Sequence, residues 1–226
     1  MCGRYENAAD DAALQAEFEK HIGELNIAYD LDEVLKDLKT GSLKTVNIAP
    51  TNLVKVITFD KDDNVFRLEL KKWGIKSQVY DPSRAAKGKD PMIEKDIFNS
   101  KIETILKKGS KWKKIFDENR CIFPMTAFYE WTGEKGKKVP QRIFIQRTPI
   151  FFAGGIIKTG IDETESASII TCEPNTFMKS IHTRMPVLMK TKTAGEFLRA
   201  QADSAGKLAE PLDDEIKMKS EKAVLK

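Results

Sequence analysis

The opening run Met1-Cys2-Gly3-Arg4-Tyr5 puts a cysteine at the second position of the chain. Removal of Met1 would leave a free α-amine and a free thiol on Cys2. This 1,2-aminothiol has chemistry denied to an internal cysteine: the amine condenses with an aldehyde to a Schiff base, and the thiol then closes a five-membered thiazolidine. An α-amine titrates near ~7.7–8.0, against ~10.4 for a lysine, so a usable fraction is a neutral nucleophile at neutral pH without burial. The competing reading is a thiol that only packs in a core, and retention of Met1 would block the chemistry altogether.

Three other places join turn signals to polar or reactive groups: Asn47-Ile48-Ala49-Pro50-Thr51, Phe128-Tyr129-Glu130-Trp131 and Ile181-His182-Thr183-Arg184-Met185-Pro186. Glu130 sits among three aromatics, where desolvation would raise its pKa; the alternative is a strand carboxylate facing water. A lone histidine such as His182 is often a hydrogen-bonded structural residue. Aldehyde capture, however, needs an acid–base group near the carbinolamine, and a phosphate-flanked sugar needs cationic donors. Glu130, His182, Arg4 and Arg184 supply that inventory.

The elements that must position these groups read as α+β, in one domain with a substantial sheet. Residues 10–22 form an amphipathic helix in which Asp10 or Asp11 serves as N-cap and Leu14, Phe18 and Ile22 share one face. Residues 53–59 and 65–70 are strand-like around the polar turn 60–64, which predicts a hairpin. Residues 81–91 read as a surface loop. Ser110 is placed to cap a short helix carrying Trp112, Ile115 and Phe116. Strands are expected at 120–131, 142–147, 150–157 and 167–172, with Gly154 and Gly155 marking a bulge or a close backbone approach. Short helices are expected at 174–181 and 192–201, and the last fifteen residues read as a loose, charged end.

At 226 residues one core and one domain are the default. No apolar stretch approaches the ~20 residues of a membrane span. Charges at Arg4, Glu6, Asp10, Asp11 and Glu17 argue against a signal peptide, so a cytoplasmic, nucleoid-associated protein is expected. Cys2, Cys121 and Cys172 are an odd, widely spaced set that argues against a disulfide framework. His21 and His182 are the only histidines, and no pair of ligands has zinc-site spacing, so no metal is expected. The net charge of +4 says little, but Lys107, Lys108, Lys111, Lys113 and Lys114 crowd together, and Lys71, Lys72 and Lys76 bracket Trp73. Such clusters suit a phosphate backbone, or are simply solvated faces.

In order along the chain, the Met1–Tyr5 and Asn47–Thr51 runs, Trp73-Gly74-Ile75, Asn99-Ser100-Lys101-Ile102-Glu103-Thr104, Arg120-Cys121-Ile122-Phe123-Pro124, Phe128–Trp131, Phe152-Ala153-Gly154 and Ile181–Pro186 resemble the SOS response-associated peptidase (SRAP) family of abasic-site processing proteins. The motifs span about 2–190, with 191–226 a helical, charged extension of the same 1–226 domain. The resemblance implies an α+β single domain with a mixed, largely antiparallel, barrel-like sheet flanked by short helices. It implies capture of the ring-opened sugar of an abasic site in single-stranded DNA as a thiazolidine on Cys2, together with self-removal of Met1 and β-elimination at the lesion. No cofactor, no membrane and no obligate protein partner are implied, and a monomer is expected.

By the same resemblance Asn99 holds the Cys2 end, Glu130 shuttles protons and His182 serves acid–base steps near the sugar. Arg4 and Arg184 contact phosphates, and Pro50, Trp73 and Trp131 line the DNA cleft, where aromatic faces would stack on bases. Two departures stand out. Lys101 occupies the place of a family arginine, keeping the charge but losing bidentate geometry, and the proline expected shortly after Trp73-Gly74 is missing. Two other readings remain at this level: an amino-terminal-nucleophile hydrolase acting on amides, with the amine as base and Asn99 as oxyanion donor, and a non-catalytic single-strand binding module.

Overall fold

The computed structural model describes residues 3–37, 43–134 and 136–225. Cys2, the first residue to which chemistry was assigned, therefore lies outside the described residues.

The chain enters through strand β1 (Arg4–Glu6) and turns into helix α1 (Asp11–His21), where the Asp10 carboxylate accepts from the Ala13 N–H at 2.8 Å, as the sequence predicts for an N-cap. Strand β2 (Leu25–Ile27) and helix α2 (Leu31–Asp37) follow, and then the expected hairpin of β3 (Leu53–Asp60) and β4 (Val65–Trp73). A second hairpin, β5 (Ile75–Tyr80) and β6 (Met92–Ile97), brackets helix α3 (Pro82–Ala85) in the segment read as a plain loop.

Strand β7 (Asn99–Lys101) runs straight into α4 (Ile102–Leu106), and α5 (Lys111–Glu118) starts at the Ser110 cap. The run 120–131 is not one strand. It divides at Thr126 into β8 (Arg120–Met125) and β9 (Ala127–Thr132), which lie in different sheets. Next come β10 (Val139–Ile145), β11 (Phe151–Thr159), β12 (Glu165–Cys172), α6 (Thr176–Lys179), β13 (Met185–Pro186), β14 (Leu188–Met189), α7 (Thr191–Arg199), α8 (Ala202–Leu208) and β15 (Met218–Lys222).

The larger sheet closes on itself. β12 pairs β11, β11 pairs β8, β8 pairs β3, β3 pairs β4, and β4 returns to β12 in parallel through Ser166↔Lys72 and Ala167↔Trp73. Among the described residues only the β12–β4, β12–β7 and β2–β4 pairings are parallel, so the mixed, largely antiparallel barrel-like core is present. Closure removes free strand edges and encloses a core of side chains. α1 seals it by setting Phe18 against Phe66 and Phe152, with ring centroids 5.3 and 5.5 Å apart. Gly155 is the close approach foreseen for the paired glycines: a Cβ there would lie 2.5 Å from the Phe123 ring and 2.9 Å from Cys121 Sγ.

The smaller sheet runs β1-β9-β10-β15 and packs on the barrel through Tyr5, which meets Phe123 edge-on. The charged end of the chain is thus no loose tail. β15 adds five registered pairs to β10, from Ile145↔Met218 to Gln141↔Lys222. No helix among the described residues is long and apolar enough to cross a membrane.

Candidate functional site

Trp73 is the hub on which the candidate residues are hung, and its burial corrects the role given to it from sequence. The indole is fully buried, so it offers no face to a base. Its ring meets Tyr5 at 5.3 Å and Phe98 at 6.3 Å, both edge-on, and its Nε1–H donates to the Phe98 carbonyl at 2.9 Å. The physical reason is its place at the end of β4, inside the barrel, where the flanking Lys72 turns outward to Asp162 and Asp96. A lysine-flanked tryptophan looks exposed in one dimension; alternation along a strand sends the neighbours to opposite faces.

From Trp73 the connections run outward. Its backbone holds the Asn47–Thr51 motif: Thr51 N–H donates to the Trp73 carbonyl at 2.7 Å, and Trp73 N–H to the Asn52 carbonyl at 2.9 Å. Asn47 and Thr51 take left-handed φ values of 52° and 74°, uncommon for residues other than glycine and a local strain fixed by these bonds. Half-buried Pro50 sits between them. Ile48 bridges Tyr5 in both directions, at 3.1 and 2.9 Å, so β1 runs between this motif and β9. On the other side, Phe98 leads into β7, where Asn99 lies opposite Ile169 and exposed Lys101 opposite Thr171, beside the end of β12.

Glu130 lies on β9, one residue beyond the Arg4↔Tyr129 pair and opposite Gln141 of β10. It is 3% exposed. Burial raises its pKa above the usual carboxylate range, opposed in part by the nearby His182. The shift is toward the neutral acid, the form that proton donation requires. Its strand neighbours behave differently. Phe128 points into the core with Tyr5, whereas Tyr129 turns to the other face, donates its hydroxyl to Glu6 at 2.7 Å and is pushed up to about 12 by burial and by that carboxylate. Glu6 is itself pushed up by its burial, but hydrogen bonds from Arg142 and Tyr129 outweigh this and hold it below the usual range. The two buried glutamates, one on each face of this sheet, are thus driven in opposite directions.

His182 is half-buried in the turn after α6, and its Nδ1 accepts from the Arg184 backbone N–H at 3.0 Å. Arg184 is committed to the protein. Its Nη1 and Nη2 reach the Glu103 carboxylate at 2.7 and 2.9 Å, and Nη2 also donates to the Thr171 carbonyl at 2.6 Å. Half-buried Arg4 donates Nη1 to the Gly3 carbonyl at 3.1 Å, and half-buried Trp131 lies near the end of β9 opposite Pro140. His182 and Arg184 share one turn, Arg184 reaches Glu103 two residues beyond Lys101, and Glu130 lies near enough to His182 to feel its charge, whereas Arg4 and Trp131 lie on the sheet face shared with Tyr129, opposite the one that carries Phe128 and Glu130.

Two described cysteines remain. Cys121 is fully buried and its thiol is pushed well up by desolvation; Cys172 is pushed up to about 12, also by burial. Neither supplies thiolate near neutral pH. No cluster of three or more His, Cys, Asp or Glu side chains suited to a metal ion occurs among the described residues. Sequence reasoning did not weigh Glu103, although it lies within the quoted Asn99–Thr104 run; only contact with Arg184, 81 residues away, marks it.

Comparison with known proteins agrees with this architecture. A Bacteroides thetaiotaomicron protein of similar structure has a TM-score of 0.71 at 21% identity, covering 98% of this chain and 91% of the other. A Bordetella bronchiseptica protein gives 0.70 at 16% identity, covering 99% and 100%. In sequence, the chain is 32% identical over 221 residues to the abasic site processing protein YoqW of Bacillus subtilis, covering 94% of this chain and 88% of that one. It is 27% identical over 206 residues to the abasic site processing protein YedK of Escherichia coli, covering 89% and 81%. The family model described as SOS response associated peptidase matches residues 1–224, nearly the whole length. The chain belongs to the SRAP family.

Proposed function

We propose that this protein processes abasic sites in single-stranded DNA by forming a covalent cross-link through Cys2 after loss of Met1. The α-amine adds to the C1′ aldehyde of the ring-opened sugar, and the carbinolamine loses one water to give a Schiff base. The thiol then adds across the C=N bond and closes a thiazolidine, so the net change is one molecule of water released. Glu130 in its acid form protonates the departing hydroxyl and takes the proton back from the thiol. His182, close enough to act electrostatically on Glu130, assists ring opening of the sugar. If the thiazolidine reopens, the Schiff base withdraws electrons from C2′; loss of a C2′ proton then expels the 3′ phosphate, which is the lyase outcome. Removal of Met1 by the Cys2 thiol is the accompanying peptidase step, and no step requires a metal or organic cofactor.

The observation that carries this reading is Glu130, buried and raised in pKa, one register step beyond Arg4 on the strand that pairs with β1. Followed back from Arg4, β1 heads toward Glu130. The high thiol pKa values of Cys121 and Cys172 leave Cys2 as the reactive cysteine. In this reading Asn99, Arg4, Pro50, Lys101 and Trp131 would contact the strand, and the names of the relatives point to the same lesion.

The test is a denaturing gel of Met1-free protein incubated with single-stranded DNA carrying one abasic site. The reading expects a heat-stable shifted band, absent with Cys2→Ala and with protein that retains Met1. A band that persists in Cys2→Ala would overturn it, and turnover of a peptide in trans without DNA would favour an amide hydrolase instead.

A further inference from the structure

Arg184 presents an odd geometry for a residue expected to hold a phosphate. Its side chain is 12% exposed and both terminal nitrogens are already paired with the two oxygens of Glu103, a fork-to-fork arrangement. Glu103 is far more open, at 49%. A half-exposed carboxylate two residues from Lys101, which the proposed function sets against DNA, repels phosphates there. Its presence there is a cost to binding.

The bonds around Arg184 suggest what offsets that cost. Glu103 stands in the first turn of α4, two residues after Lys101 and four after Asn99. Through Arg184 it is tied to the Thr171 carbonyl near the end of β12, at 2.6 Å. The Arg184 backbone N–H in turn donates to His182 Nδ1 at 3.0 Å. With Nδ1 accepting, the neutral imidazole carries its proton on Nε2, and the ring cannot turn over without losing that bond. Residues 182–184 lie outside any strand, since β13 begins at Met185. The ion pair pins the turn from its far side, and Arg184 holds the Glu103 carboxylate below its usual range, so the clamp stays charged near neutral pH.

We infer that Glu103 is a positioning residue: by clamping Arg184 against Thr171 it fixes the turn whose backbone N–H sets the His182 tautomer for reaction at the abasic sugar. The inference rests on the proposed capture of an abasic site, and it separates two effects that phosphate binding by Arg184 would move together. Loss of the Glu103 charge removes a repulsion from DNA but frees the turn. Binding and chemistry should therefore change in opposite directions.

The experiment compares wild type, Glu103→Gln and Glu103→Asp, all free of Met1. Affinity is read with single-stranded DNA bearing a tetrahydrofuran abasic analogue, which has no aldehyde. Chemistry is read as the single-turnover cross-linking rate at saturating abasic DNA. For Glu103→Gln the expected result is affinity equal to or tighter than wild type with cross-linking slowed about tenfold, a part of the roughly hundredfold or more that acid–base assistance contributes. Glu103→Asp, which keeps the charge, should recover most of the rate. An unchanged rate in Glu103→Gln would overturn the inference, as would weakened binding with a normal rate at saturation.

A second measurement needs no activity. The chain has only two histidines, so ¹⁵N-imidazole spectra compared with His21→Gln assign His182. The expected spectrum has an unprotonated Nδ1 in wild type and mixed tautomers in Glu103→Gln; protonated Nδ1 in wild type would refute the inference. If wild type itself forms no cross-link while His182 shows the expected tautomer, the functional reading fails and the positioning geometry stands.

Discussion

At the scale of single residues, the contrast between Glu6 and Glu130 is the sharpest chemical fact in the molecule. Both are buried, yet Glu6 is ionised by Arg142 and Tyr129 while Glu130 is pushed toward its neutral acid. An acid whose folded pKa is raised loses stability as pH climbs from its unfolded value through its folded one, because the native state then holds the proton that the unfolded state has released. Glu130→Gln should therefore stabilise the protein at neutral pH; each 1 kcal/mol gained moves Tm by about 2–4 °C in a chain of this size. The same substitution should slow cross-linking by roughly a hundredfold. The wild-type rate should fall as pH rises through the raised Glu130 value, in a limb absent from Glu130→Gln. Calorimetry and a pH–rate profile check both; a Glu130→Gln protein that is less stable and equally fast would remove Glu130 from its role.

At the scale of elements, Trp73 joins β4, the Asn47–Thr51 loop, β1 and the approach to β7. Trp73→Ala should cost about 3–5 kcal/mol in denaturant unfolding, as expected for a buried aromatic. A residue that stacked on bases would instead lose DNA affinity at unchanged stability. How much was legible in the sequence follows from the same physics. Helices α1 and α5 were readable because Asp10 and Ser110 cap them by short-range bonds. The division of 120–131 at Thr126 was not, because β8 is buried at all six positions and β9 at its first four, which leaves no alternation to mark the change of sheet. β15 was missed because an edge strand needs only backbone partners: Met218 is buried and Lys219 to Lys222 are exposed. The motifs around Glu130 and His182 were visible as local runs, whereas Glu103 became visible only when the fold set it against Arg184.

At the scale of the whole molecule, a closed barrel with a second sheet packed on it sets Arg184 against Glu103, 81 residues earlier in the chain, and Arg4 beside Tyr129. The net charge of +4 is too small to direct DNA by itself, so the proposed binding would depend on local cations. Lys101 is exposed opposite Thr171, next to the clamp. Lys101→Ala should weaken single-stranded DNA binding and lower the slope of log K against log salt by about 0.7, the value for one phosphate contact on a single strand. A titration from low to moderate salt reads the slope, and an unchanged slope places Lys101 off the phosphate path.

The central claim is that Cys2 becomes part of the DNA adduct. Intact-mass spectrometry of Met1-free protein after reaction with single-stranded DNA carrying one abasic site tests this most directly. The account predicts a heat-stable species whose mass is protein plus DNA less one water, with the modification on Cys2 after digestion and none in Cys2→Ala. Recovery of unmodified Cys2 beside a stable adduct elsewhere, or the same stable adduct from Cys2→Ala, would contradict it.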